Sequence, residues 1–492
     1  MLDGASPGEP SLPLALDLFD RLNRSGIRYC HWKSNIRLGK SLAGKTDLDI
    51  LVAKEDLGRF VAIANELGFR RMINRPEREY DGLYDFLGMD QSSGGLLHIH
   101  LHDRLLLGGR TGKDVELPIE ELFWSNLEQR GNVRVPASDL ELIVLLLRAV
   151  LKSKPSPDAD PLSWFPADIV DEVGALYRRR DERRFAALLG EMGLGLSPPT
   201  LLRLAAALAG DRRDHGELLR LRGEVVAALS PYRVRGGLQS RIMDWRRAFF
   251  DTRWAKKNLL ARRKRLHKTG LSVAIIGVDG SGKSTHVEDL RQWLSWKLLC
   301  HKEYFGLSKT SRLYRSLSRR AQVFEKRART ATQAPRRVFF RLLADLAQSA
   351  RWLWSAHLRA RDSRRVAHLV RRGAVVICDR YPLPELANAE ASMDGPRIRH
   401  ERGSFLGAAA LEERIYRNIR RPNLTIVLQA GVDELRRRKP DLDAEAVARK
   451  AALVSGIGPG ADVVIVDNER SYEEVRLDLR RLIWRRLQEA NG

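Results

Sequence analysis

The chain changes the period of its hydrophobic pattern more than once. Over residues 14–26 apolar positions recur at helical spacing, with Leu14, Leu18 and Leu22 marking one face. Across Gly44–Val52 the period drops to two, so Leu48 and Ile50 face one way and Asp47 and Asp49 the other, which predicts a half-buried strand. Leu96–Asp103 alternates in the same manner and sets His98, His100 and His102 on one face. From about Ala137 the helical period returns through Glu141–Leu151, Ala167–Arg180, Arg184–Leu189 and Leu201–Leu208, with breaks at 152–158 and 197–199.

The C-terminal part reads differently. Short, continuous apolar runs at Val273–Ile276, Ala374–Cys378, Leu424–Leu428 and Val463–Val466 alternate with helical stretches such as 285–298 and Arg341–Arg372, and Tyr304 marks the end of another expected strand. Runs without alternation are buried on both faces, and strands joined by helices build a right-handed, doubly wound α/β domain around a parallel sheet. Three segments are therefore expected: an α+β domain over 1–135, a helical connector over 136–268 and an α/β domain over 269–492.

The densest chemistry lies in Gly277-Val-Asp279-Gly280-Ser281-Gly282-Lys283-Ser284-Thr285, which leaves the first apolar run and opens a helix. Glycines without a Cβ let main-chain amides close on a phosphate, and the helix start adds partial positive charge. In this spacing Lys283 is expected on the β and γ phosphates of ATP and the Ser284 hydroxyl on Mg²⁺. Asp379 ends the second run at the ligand edge of a parallel sheet, where it would take Mg²⁺ or its water while Arg380 reaches an anion. In the N-terminal part, Asp47 and Asp49 at i, i+2 converge on one point of a strand and form a second expected Mg²⁺ site. The three histidines suit either a metal site or a polar strand face.

Charge and cysteine usage narrow the partners. With 86 Lys and Arg against 62 Asp and Glu, the net charge of +24 favours nucleotides, nucleic acid or an anionic membrane surface. Cations concentrate in two stretches, 239–268 with Trp245, Phe249, Phe250 and Trp254 among them, and 309–341. The first suits a helix on a membrane interface or one packed on the next domain with a solvated basic face. The second suits a cover over polyphosphate, an anionic-surface patch or a solvated insertion without fixed structure. Cys30, Cys300 and Cys378 lie too far apart in sequence for a disulfide framework or a zinc motif, which fits a reducing cytoplasm. The N-terminus lacks the apolar core of a signal peptide, and the longest apolar run, Leu140–Leu151, is too short for a transmembrane segment.

Two resemblances follow from these motifs. The turn at Lys33-Ser34 followed by Asp47-Leu-Asp49 resembles the nucleotidyltransferase superfamily over roughly the first hundred residues. That superfamily takes a third carboxylate from a later strand, where this chain has histidines and Asp103 at the strand's end. Residues of about 270–492 resemble thymidylate kinase. The matching segments, in the same order, are Gly277–Thr285, Val375–Tyr381, Arg421–Leu428 with the arginines after it, and Val463–Asp467. The resemblance implies a P-loop nucleoside monophosphate kinase fold, ATP and Mg²⁺, and conversion of thymidine monophosphate to the diphosphate. It places Asp279 on the acceptor sugar, Arg380 and Tyr381 on the acceptor side, and Arg436, Arg437 and Arg438 in a lid over the transferring group. It sets the base-stacking aromatic and a further arginine near Trp354 and Arg359. The chain departs from the pattern at Tyr304–Leu307 and after Tyr381, at Pro382–Glu385 and Met393–Pro396. Those departures raise a second reading, a sugar phosphate or other small metabolite as acceptor in surface-polysaccharide assembly. A third makes the chain a non-catalytic ATP sensor. Nucleic acid is not an expected partner; an anionic membrane surface is, through the basic segments.

Overall fold

The computed structural model describes residues 10–108, 112–156, 158–210, 214–234, 263–306, 311–383, 395–400 and 406–492. Where the sequence suggested boundaries near 135 and 268, the chain packs as two compact units, Met1–Lys264 and Arg265–Gly492. Most of the basic stretch 239–268, with its four aromatics, lies outside the described residues.

In the N-terminal unit five strands stand side by side: β1 (Tyr29–His31), β2 (Leu48–Val52), β3 (Arg70–Ile73), β4 (Leu83–Met89) and β5 (Leu96–His102), in the spatial order β1-β2-β5-β4-β3. Only β2 and β5 run parallel; the other neighbours are antiparallel. The predicted alternation holds. Leu48, Ile50, Leu97, Ile99 and Leu101 are buried with Leu18, Phe19 and Leu22 of the helix Pro13–Arg24 and with Phe60 of the helix Leu57–Glu66. The opposite sheet face is thereby left to Asp49 and the histidines.

A second core of this unit joins the hairpin of β6 (Leu105–Gly108) and β7 (Lys113–Leu117) to helices Ser138–Lys152, Ala167–Tyr177, Glu182–Glu191, Pro198–Ala209 and His215–Leu229. Trp32 and Leu51 belong to it, so the helical stretch is built onto the strand region through one apolar cluster. The Ser197-Pro-Pro break is a helix start: the Ser197 hydroxyl accepts from the Thr200 amide, with proline in the first turn.

The C-terminal unit is α/β. Its parallel sheet comprises β8 (Leu271–Gly277), β9 (Cys300–Tyr304), β10 (Val375–Asp379), β11 (Leu424–Gln429) and β12 (Val463–Asp467), in the order β9-β10-β8-β11-β12. The strand that feeds the glycine loop is central, and every residue of it is buried, as its unbroken apolar pattern requires. Of the three readings of the second basic stretch, an insertion without fixed structure does not hold among the described residues. Residues Arg312–Thr330 form one helix capped by the Ser311 hydroxyl, and after a three-residue turn a 38-residue helix, Ala334–Arg371, packs back on it. Arg329, Arg337 and Arg341 line a cavity between the two helices together with Ala321, Ala328 and Ala344, and the Arg327 guanidinium lies over the Phe340 ring of the second helix. No helix among the described residues is long and apolar enough to cross a membrane.

Candidate functional site

The loop Gly277–Thr285 sits between the C-terminal end of β8 and the helix Lys283–Leu294. Its glycines are required by contact as well as by backbone angle. A Cβ on Gly277 would meet the Leu428 carbonyl oxygen at 2.8 Å, and Gly280, at φ +95°, passes so close to the Leu435 carbonyl that a Cβ would stand 3.0 Å from it. Gly282 caps the helix in the left-handed conformation, and the first turn carries no acid, so its orphan amides meet no competing carboxylate there.

Three cations converge on one carboxylate inside this loop. Arg380 donates to Asp279 Oδ1 at 2.9 Å, Lys450 to Oδ2 at 3.2 Å, and Lys283 Nζ lies 4.0 Å from Oδ1. Burial pushes the Asp279 carboxyl up, but Lys283, Arg380 and Lys450 together hold it below the usual carboxylate range. Lys283 is itself buried, donates to the Val278 carbonyl at 2.6 Å, and is pulled down to about 8 by desolvation against the attraction of Asp279. Arg380 reaches the loop from an unusual backbone: its φ of 59° lies in the left-handed region, which costs a non-glycine residue about 1–3 kcal/mol and turns its guanidinium back over the sheet edge.

Asp379 is nearly buried, in register with Ile275 of β8, and its Oδ1 has no hydrogen-bond partner. An orphaned, buried carboxylate oxygen beside a phosphate loop fits a cation, so Ser284 and Asp379 suit the Mg²⁺ that the sequence implies. Asn468 is a positioning residue the sequence reading missed. Its Nδ2 donates to the Ser281 carbonyl at 2.7 Å and its Oδ1 meets His286 Nε2 at 3.1 Å, so it pins the loop to the end of β12. Lys450 was missed as well. The asparagine has a visible signal, its place directly after Asp467, whereas a lysine inside the helix Ala444–Ser455 has none.

Most of the expected lid and acceptor residues bond protein partners. Arg437 forms two 2.7 Å bonds to Glu434 of its own helix, and Arg438 bonds the same carboxylate and the Asn468 carbonyl; Arg436 is exposed. Arg359 is buried, donating to the Phe305 carbonyl at 2.9 Å and to the Tyr416 hydroxyl. The Tyr381 hydroxyl donates to the Arg420 carbonyl, its ring packs on Phe305, and burial pushes its phenol up to about 12. Trp354 donates to the Ser311 hydroxyl at 3.0 Å and stacks on His357. The structure thus brings Asp279, Lys283 and Arg380 together and leaves Arg437, Arg438, Arg359 and Tyr381 on local partners.

In the N-terminal unit the paired acids are not alone. Asp49 Oδ1 accepts from Lys33 at 2.6 Å and from His100 Nδ1 at 3.1 Å, while Asp47 lies 2.8 Å from His98 Nδ1. On the neighbouring strand, Asp85 of β4 is paired in register with His100, contacts His98 Nε2 at 3.0 Å and accepts from Lys264 at 2.6 Å. Asp103 accepts from the Tyr84 hydroxyl instead. Lys113 of the hairpin lies 3.4 Å from Nε2 of both His100 and His102. Burial and the nearby Lys33 hold its ammonium well below the usual lysine range.

No protein-family model matches the chain. A protein of Escherichia coli K12 named as the uncharacterized ATP-binding protein YghR is 28% identical over 211 residues, which span 41% of this chain and 82% of that protein. Its counterpart in Escherichia coli O6:H1 matches to the same extent. Among solved structures, thymidylate kinase from Candida albicans is similar at 19% identity with a TM-score of 0.30, covering 45% of this chain and 93% of that one.

Proposed function

We propose that the C-terminal unit binds ATP and transfers its terminal phosphoryl group to a small phosphorylated acceptor, with thymidine monophosphate the first acceptor to test. The observation that carries this reading is the convergence of Lys283, Arg380 and Lys450 on Asp279 within a glycine-built loop. While no anion is bound, Asp279 balances the cations that a polyphosphate would otherwise engage. The name of the Escherichia coli relative supports ATP as the donor.

Phosphoryl transfer asks little covalent chemistry of a protein and much positioning and positive charge. An acceptor phosphate oxygen attacks the γ-phosphorus, the bond from that phosphorus to the β–γ bridging oxygen breaks, and ADP leaves with the electron pair. Lys283 and the loop amides hold the donor phosphates, and Arg380 aligns the incoming anion. Bound Mg²⁺, held by Ser284 and Asp379, would neutralise charge on the donor oxygens. Once its cations move to phosphate, Asp279 is free to accept a hydrogen bond from an acceptor hydroxyl.

One observation favours a different acceptor within the same chemistry. Arg359 and Tyr381, which the resemblance assigns to the nucleotide acceptor, are buried on protein partners, so a sugar phosphate remains the second reading. The test is acceptor-dependent ADP release with ATP and Mg²⁺ across nucleoside monophosphates and sugar phosphates. Release that depends on thymidine monophosphate supports the first acceptor and release that depends on a sugar phosphate the second. Nucleotide binding with no turnover on any acceptor leaves only a sensor and defeats both.

A further inference from the structure

We propose that the N-terminal unit carries a second anion site, which seats a phosphate-bearing small molecule between Lys33 and Lys113 beside Trp32 and does so without a divalent metal ion. The first support is how strongly the site is built. Ser34 sits in the left-handed region at φ 60°, a strained position for a residue with a side chain, and it fixes the direction of Lys33. The strain is sustained by its neighbour: Glu141 accepts from the Asn35 amide at 2.8 Å and from its Nδ2 at 2.9 Å. Asn35 Oδ1 also meets His31 Nδ1 at 2.7 Å, and Arg130 donates to the Asn35 carbonyl at 3.1 Å. A turn strained and braced from several elements is a functional device more often than an accident.

The second support is the set of groups facing that turn. Lys33 Nζ lies 4.7 Å from the centre of the Trp32 ring, the Arg148 guanidinium 5.4 Å from it, and the His102 ring 5.1 Å from it, edge on. Lys113 Nζ lies 3.4 Å from His102 Nε2. The Trp32 indole N–H is buried with no hydrogen-bond partner, and so is His102 Nδ1. Asp49 balances Lys33, but Lys113 and Arg148 bring further cationic groups to the same low-dielectric place, and a buried donor left unsatisfied is costly. An oxyanion relieves both, because phosphate oxygens accept from ammonium and indole donors at once. A phosphoanhydride, with adjacent phosphates, can span two lysines that arrive from different elements.

The third support is how poorly the same ground suits the Mg²⁺ that the paired acids imply. Asp49, His100 and His102 do bring one ligand atom each within 4.8 Å of one another. Two imidazoles suit a transition metal and not Mg²⁺, which takes oxygen ligands. Moreover Lys33 already bonds the Asp49 oxygen at 2.6 Å, and Lys113 lies 3.4 Å from both imidazole Nε2 atoms. The positive charge a metal would supply comes here from two lysines.

The test uses the full chain with Lys283→Ala, which removes the loop ammonium of the C-terminal unit, and inorganic pyrophosphate as the probe in calorimetry with EDTA present. Saturable binding is expected to persist in this background and to weaken at least about tenfold when Lys33→Met and Lys113→Met are added. As a check that needs no change at these lysines, pyrophosphate should protect Lys33 and Lys113 of the Lys283→Ala chain from reductive methylation. Absence of binding in the Lys283→Ala chain, binding that appears only when Mg²⁺ or Zn²⁺ is supplied, unchanged affinity in the Met variants, or no protection of the two lysines would each overturn the proposal.

Discussion

Both units gather cations around a single aspartate, and they do so by opposite means. In the C-terminal unit Asp279 and Lys283 lie four residues apart on one glycine loop, and only Arg380 and Lys450 come from outside it. In the N-terminal unit Asp49 meets Lys33 from one strand end and His100 from 51 residues away, and the cluster closes with Lys113 from a hairpin and Arg148 from a helix. The first arrangement is set mostly within one short loop. The second works through buried side chains whose partners must all be in place, so it is the more brittle of the two.

The change expected to separate them most is Lys283→Ala, which should cut acceptor-dependent ADP release on the order of 10²–10³-fold while the chain stays folded. Steady-state rates with circular dichroism as a folding control check it; a rate within threefold of the parent would remove the loop from the chemistry. Next comes a contest between cations. Because Lys450 already reaches Asp279 whereas Arg437 is held by Glu434, Lys450→Ala should lower kcat/KM by about 10- to 100-fold, the worth of one charge-assisted hydrogen bond. Arg437→Ala should cost less than about threefold, as expected of an exposed ion pair. The reverse ranking would give the closing role back to the lid arginines.

Gly280→Ala should destabilise the C-terminal unit by about 1–3 kcal/mol, read by thermal melting, because alanine must both adopt φ +95° and approach the Leu435 carbonyl. A pH series sharpens the comparison further. The Lys283 ammonium, at about 8 in the protein without ligand, begins to lose its proton as pH rises through that value. Affinity for ATP should therefore fall from pH 7 to pH 9, by no more than about tenfold because bound phosphate restores the proton. The last test belongs to the N-terminal unit. Burial raises Glu141 to about 7 from an ordinary 4.5, so the folded state holds the extra proton and stability declines as pH climbs between those values. Glu141→Gln stays neutral throughout, so the melting temperature of the parent should drop relative to that variant between pH 5 and pH 7.5.

The same contrast explains what the sequence disclosed. The glycine loop, the buried strands and Asp379 with Arg380 were legible because main-chain geometry forces particular residues into adjacent positions. The alternation at Leu48–Val52 and Leu96–His102 also placed the right side chains on the right face. The place of Asp85 beside His98 and His100 was not legible, since it depends on which strand pairs with β5 and in what register. Lys450 and Lys113 were hidden for a like reason: a single cation within a helix or hairpin has no periodicity or motif, and only tertiary packing brings it to a carboxylate or an imidazole. The local pairing of Arg437 and Arg438 was equally hidden in the run of arginines, although Glu434, one helical turn back, is close enough in sequence to bond them.

The most direct test of the account is a single-turnover experiment with γ-labelled ATP, Mg²⁺ and the acceptor panel, run side by side on the parent chain and Lys283→Ala. The account predicts label on one phosphorylated acceptor with the parent chain and none with the variant. Label that stays in ATP or appears only as free phosphate with the parent chain, or transfer that survives unchanged in Lys283→Ala, would contradict it.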